Sequence, residues 1–161
     1  MDKCGHGAGC ALLILLSLCA PLSASPKSSQ LIDNGLAQLE QGRAEEALKF
    51  FVEATRQDPK DAEAVFFTGV ALNRLGRAEE ALSQLSNAKN LGSNHADLSF
   101  ELGWSLLSLR RWDEAIEQLN RYESQHPGRG QTSEFLGRAY LSLGKYKEAD
   151  AAFSEALKRD P

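Results

Sequence analysis

One interval constrains this chain more than any other feature. Gly35, Gly69, Gly103 and Gly137 stand 34 residues apart, and so do Ala47, Ala81, Ala115 and Ala149. Phe51, Leu85, Leu119 and Phe153 follow four residues after each alanine, and Ala54, Ala88, Tyr122 and Ala156 three residues later still. Pro59, Pro127 and Pro161 share a further register, which Ser93 interrupts. No gap is needed to align the four copies. A helix–turn–helix unit repeated at this period cannot bury its apolar face alone, so neighbouring units must stack into a solenoid. The fold class expected is therefore all-α, with four copies spanning residues 28–61, 62–95, 96–129 and 130–161.

The copy that shows the unit best is GVALNRLGRAEEALSQLSNA, residues 69–88. It reads as a helix, a break at Leu75-Gly76-Arg77, and a second helix. Gly69 lacks a side chain where the paired helices approach, and Ala81 is expected opposite it. In the first copy, helix A is expected from about Gln30 to Gln41, with Ser28 or Ser29 as its N-cap. Gly42 stops it, and helix B is expected from Ala44 to Gln57. Glu45 and Glu46 lie in the first turn of that helix, where the positive end of its dipole favours them. Glu79-Glu80 and Asp113-Glu114 repeat the arrangement.

The joints between copies carry their own signals. In Asp58-Pro59-Lys60-Asp61 the proline ends one helix and Asp61 is placed to cap the next. Gly92 and Asn94 are expected to do the same before the third copy, and the joint around Pro127-Gly128 is the loosest. Arg110 stands where Gly42, Gly76 and Gly144 stand in the other copies. A left-handed backbone there is strained by about 1 kcal/mol in a residue with a Cβ.

Residues 1–24 read as a secretory signal. Lys3 opens it, an apolar run from Ala11 to Ala20 follows, and Ala24 offers a small residue for cleavage. The run is shorter than the roughly 20 residues that span a bilayer as a helix. An uncleaved membrane anchor, or a lipid on Cys19, is the alternative. Leu18 argues against the lipid, because signals of that kind carry a small residue there. Residues 25–27 form a short linker. Cys4, Cys10 and Cys19 all precede the expected cleavage site. The mature chain then has no thiol for a disulfide or a metal.

Charge and motifs narrow the function. The formal charge is −4, and the four copies carry −3, 0, −2 and 0 in order. No copy is basic, so nucleic acid is not an expected partner. No catalytic constellation is present. His95 and His126 fall in turns between copies and read as solvated residues. The glycines follow the repeat and not a phosphate loop. Adjacent carboxylates such as Glu45 and Glu46 point away from each other on a helix. No enzyme activity, small-molecule substrate, cofactor or metal is expected.

With these positions laid out, the chain resembles the tetratricopeptide repeat family. That family carries a small residue in helix A, an alanine early in helix B, an aromatic or leucine four later, a further alanine and a closing proline. The likeness covers residues 28–161. It departs at the fourth position of each copy, often aromatic in the family and here Leu31, Val65, Ser99 and Ser133. The resemblance implies a right-handed superhelix with helices A lining a concave groove.

The second, fifth, ninth and twelfth positions of each copy form one stripe on helix A. By the resemblance this stripe faces the groove. Its candidate binding residues are Ile32, Leu36, Phe66, Val70, Asn73, Phe100, Trp104, Leu107, Glu134 and Arg138. An apolar centre with a polar rim is how a peptide-binding surface is usually built. Some family members bind a terminal carboxylate through Lys, Asn and Arg donors. The matching positions here are Ile32, Leu36, Phe67, Asp97 and Glu101, which supply none of them.

The expected function is an exported interaction scaffold, periplasmic or secreted, that binds a peptide or helix of a partner protein without catalysis. The alternative is a structural unit of an envelope complex, or the N-terminal piece of a longer array. Self-association is expected through the uncapped fourth repeat, where Phe153, Ala156 and Leu157 have no following helix to cover them.

Overall fold

The computed structural model describes residues 26–160. The expected signal, residues 1–24, lies outside them, as do all three cysteines. The described residues form eight helices: α1 (Pro26–Glu40), α2 (Ala44–Gln57), α3 (Ala62–Arg74), α4 (Ala78–Asn90), α5 (Leu98–Ser108), α6 (Trp112–Gln125), α7 (Gly130–Ser142) and α8 (Tyr146–Arg159). Odd and even numbers are helices A and B of the four copies. None of these helices is long and apolar enough to cross a membrane.

Each helix packs against its partner in the hairpin and against the next helix in the chain. Helices A of neighbouring copies also touch, α1 with α3, α3 with α5 and α5 with α7, whereas consecutive helices B do not. Contact on the A side and separation on the B side bend the stack, with helices A on the inside of the curve.

The turns explain why the hairpins repeat. Gly76 sits at φ 72°, and the Arg77 N–H donates to the Leu72 carbonyl at 2.9 Å. This left-handed cap satisfies carbonyls that the helix end leaves open and reverses the chain. Arg110 adopts the same conformation at φ 59° in the third copy, as its register demands, and its Arg111 N–H reaches the Leu106 carbonyl at 2.9 Å. Asp61 caps α3 as expected, accepting from the N–H groups of Glu63 and Ala64. The next helix differs. Asn94 stays exposed, and α5 begins only at Leu98 with no side-chain cap. Arg77 and Arg111 each bind the glutamate three residues on through two hydrogen bonds of 2.6–2.7 Å.

Two expectations are corrected here. Helix α1 starts at Pro26, inside the expected linker, and not at Gln30. Proline suits the first helical turn because its missing N–H is needed by no one there. Ser28 is therefore not a cap. Its hydroxyl is buried and donates to Asp61 Oδ2 at 2.7 Å, tying α1 to the residue that caps α3. The small-residue pairing also differs. A Cβ on Gly69 would meet Leu85 Cγ at 2.6 Å, and Gly103 meets Leu119 in the same way. Gly35 and Gly137 face Phe51 and Phe153. The glycine of helix A thus receives the large residue of helix B. Ala81 is fully buried but is not the group that Gly69 makes room for.

The core has two clusters. One joins the first two copies around Phe51, Val65, Phe66, Phe67 and Leu85, and reaches Leu98 and Leu102. The other joins the last two around Phe100, Leu119, Tyr122, Phe135 and Leu136. Leu82 touches both. Between them lies a polar seam on the helix-A side.

Candidate functional site

The expected groove stripe lies on the inner, helix-A side, but most of it is sealed. Phe66 is 1% exposed and Phe100 0%. Ile32, Val70, Asn73 and Leu107 are also buried. Leu36 and Trp104 are half-buried, and Glu134 and Arg138 are exposed. The fifth-position aromatics are therefore core residues and not open anchors. The cause is curvature: where helices A touch, the joint leading into the next copy closes over the fifth position of the copy it leaves. Phe66 is covered by the His95 ring, stacked 3.9 Å away. Phe100 is covered by Phe135, stacked at 5.5 Å, and by the Arg129 guanidinium at 3.9 Å.

His95 is consequently not the solvated turn residue expected of it. Its ring is half-buried against Phe66 and Phe67, and its Nδ1 accepts from the Asp97 N–H at 3.2 Å. It holds the chain where α5 starts late. His126 is exposed, as expected, and lies 5.2 Å from Tyr122.

What remains open on this side centres on Trp104. The Arg74 guanidinium lies over its ring at 4.3 Å. Phe135 flanks it at 5.7 Å, and Arg138 sits 5.8 Å above Phe135. Leu141, from the same stripe, is 52% exposed. Arg129 is engaged elsewhere, paired with Asp97 at 3.2 Å.

Beneath Arg74 lies the polar seam. Glu101 is buried, and its carboxylate accepts from Asn73 Nδ2 at 2.8 Å and from Arg74 at 3.2 Å. The Ser105 hydroxyl donates to Asn73 Oδ1 at 2.7 Å. Each member satisfies another, as a buried polar group must. Burial pushes the Glu101 carboxyl above the ordinary range, with Asp97 adding to the push and Arg74 and Asn73 opposing it. Sequence reasoning missed this cluster, although a signal existed. Asn73 stands in register with Leu39, Leu107 and Leu141, and Glu101 with Asp33 of the exposed first helix and with Phe67 and Phe135. Two polar residues at apolar positions of adjacent copies are a pair in waiting.

The hairpins, their glycine-to-large packing and their stacking decide the family, and sequence models agree. One tetratricopeptide repeat model matches residues 32–96 and 87–130, and a second matches 134–161. The chain belongs to the tetratricopeptide repeat family. No curated protein matches it. Among solved structures it is similar to "MamA 41-end from Desulfovibrio magneticus RS-1", at 25% identity and TM-score 0.74, covering 86% of this chain and 78% of that one. It is also similar to a structure described as "Crystal structure of MamA", at 27% identity and TM-score 0.70, covering 85% of this chain and 81% of that one. Tetratricopeptide repeats are protein-interaction scaffolds, and the chain shares that architecture throughout its described length.

Proposed function

We propose that this protein is an exported, non-catalytic scaffold that holds a peptide or helix of a partner protein against the helix-A side of copies two to four. The observation that carries the reading is Trp104. It is a large aromatic left partly open on a side whose other aromatics are covered, with Arg74 over its ring and Arg138 over the adjoining Phe135. Half-buried tryptophans in such settings are the usual binding anchors. Trp104→Ala is expected to weaken partner binding by about 2 kcal/mol or more while the protein stays folded. Phe51→Ala, at a fully buried site, is expected to lower the melting temperature far more. The test pairs retention of envelope proteins on the immobilised protein with the melting temperature of each variant. If Trp104→Ala unfolds the protein as badly as Phe51→Ala and leaves binding per folded molecule unchanged, Trp104 is core and the reading fails.

The leader in residues 1–24 supports the exported part of this reading. Sequencing the N-terminus of protein from its native host is expected to begin at Ser25. Met1 retained in a cytoplasmic fraction would overturn export, and a lipid on Cys19 would replace secretion by anchoring.

A second reading, structural self-assembly, is favoured by the two ends of the stack. Helix α1 presents exposed Gln30, Asp33 and Asn34 at the register positions where α3 presents Ala64, Phe67 and Thr68. That end is polar. At the other end Leu157 and Tyr146 are each 69% exposed. Gly130, Phe153, Ala156 and Leu157 line an open groove. The apolar surface exposed along α8 favours pairing of two copies through that helix. Light scattering is expected to show dimers that Leu157→Glu dissociates. A monomer at every concentration would remove this reading.

A further inference from the structure

Arg74, Trp104, Phe135 and Arg138 form a row across helices A of copies two, three and four, with guanidiniums at the two ends and rings between. Resting on the groove reading above, we propose that this row selects a partner segment in which two carboxylate side chains bracket an apolar or aromatic one. The argument is the state of the two arginines. A guanidinium carries five N–H donors. Arg74 uses one, toward Glu101 at 3.2 Å. Arg138 makes no side-chain hydrogen bond among the described residues, and its nearest acidic group, Glu134, is 4.0 Å away. Their side chains are 36% and 56% exposed. Both cations therefore keep most of their donors unused, Arg74 over the partly buried indole and Arg138 over the adjoining Phe135. A guanidinium stacked on a ring keeps its donors in the plane, where a carboxylate can take two at once.

The acidic neighbours set the limits of the row. Asp97 is taken by Arg129, and Glu101 is sealed beneath Arg74, where it acts as a positioning residue by holding that guanidinium over the indole. Glu134 is the one exposed carboxylate beside the row, and a partner carboxylate displaces it from Arg138. Glu40 in the first copy and Glu63 at the start of the second are exposed and repel acid, so the acidic segment is held to the row between Arg74 and Arg138. A basic partner would meet two unmatched guanidiniums here.

The test pans a random twelve-residue peptide library on the purified protein, then measures affinity for the enriched peptides in synthetic form. Enriched sequences are expected to carry Asp or Glu on both sides of an apolar residue. Arg138→Gln and Arg74→Lys are each expected to weaken the selected peptides about ten-fold, the size of one charge-assisted hydrogen bond, with the melting temperature unchanged. Arg74→Lys keeps a cation beside Glu101, so loss of binding there reports the fork and not the fold. Glu101→Gln is expected to weaken the peptides by releasing Arg74, again without unfolding. Enriched peptides without acidic pairs, or peptides indifferent to both arginine variants, overturn the proposal. If such peptides still lose affinity on Trp104→Ala, the groove stands and only its acidic specificity falls. If Trp104→Ala also leaves them unchanged, or if nothing is enriched, the groove reading falls too.

Discussion

Phe100→Ala is expected to destabilise the folded array by about 3–5 kcal/mol, the cost of emptying a fully buried aromatic site. The ring is 0% exposed. It stacks on Phe135 at 5.5 Å, meets Tyr122 at 5.3 Å and lies under the Arg129 guanidinium at 3.9 Å. Its loss would leave a cavity inside the second cluster, where helices from two copies meet, and would remove the floor on which Arg129 reaches Asp97. Copies on either side cannot collapse into that space without breaking the hairpin spacing. Trp104, 6.4 Å from Phe100 on the same helix, is expected to cost less because it is only partly buried. Urea unfolding of the two variants side by side measures the difference. A loss below about 1 kcal/mol for Phe100→Ala would mean that the ring is open, and the wider apolar groove expected from the stripe would return.

The contrast between these two residues marks where the sequence stops being informative. Both fall on the same stripe by periodicity, four residues apart, and nothing in composition separates them. Periodicity says which residues share a helix face. It does not say how far the next copy leans over that face. That depends on curvature, which follows from the contact between helices A. The same limit explains His95. Its position in a joint is readable, but its stacking on Phe66 of α3 depends on how the joint folds back over that helix. Helix B of the first copy, Ala44–Gln57, was readable to the residue, because Gly42 and Asp58-Pro59 punctuate it. Helix α1 starts four residues before the expected Gln30, since Ser28 has a cap's chemistry but its hydroxyl bonds Asp61. Glu101 and Asn73 were readable as violations of the apolar pattern, and such violations point to a site or a seam.

Gly69→Leu is expected to destabilise the second hairpin by about 3 kcal/mol or more, at the upper end of overpacking. Even the first carbon of the new side chain would stand 2.6 Å from Leu85 Cγ, 2.8 Å from Cδ2 and 3.3 Å from the Leu85 backbone N. The side chain can turn aside, but the backbone atom cannot without lifting α4 from α3. The opposing residue is therefore the decisive one, and a double-mutant cycle identifies it. Gly69→Ala and Leu85→Ala each destabilise alone, the first by collision and the second by a cavity of the kind that costs about 2–5 kcal/mol. Combined, they are expected to cost less than their sum, because the new methyl enters space that Leu85 vacates. Ala81→Gly in place of Leu85→Ala is expected to give no such relief, since the three atoms nearest a Cβ on Gly69 all belong to Leu85. Strict additivity between positions 69 and 85, measured by urea unfolding, would show that the helices meet in another register. Every hairpin would be affected, because Gly35, Gly103 and Gly137 face Phe51, Leu119 and Phe153 by the same geometry.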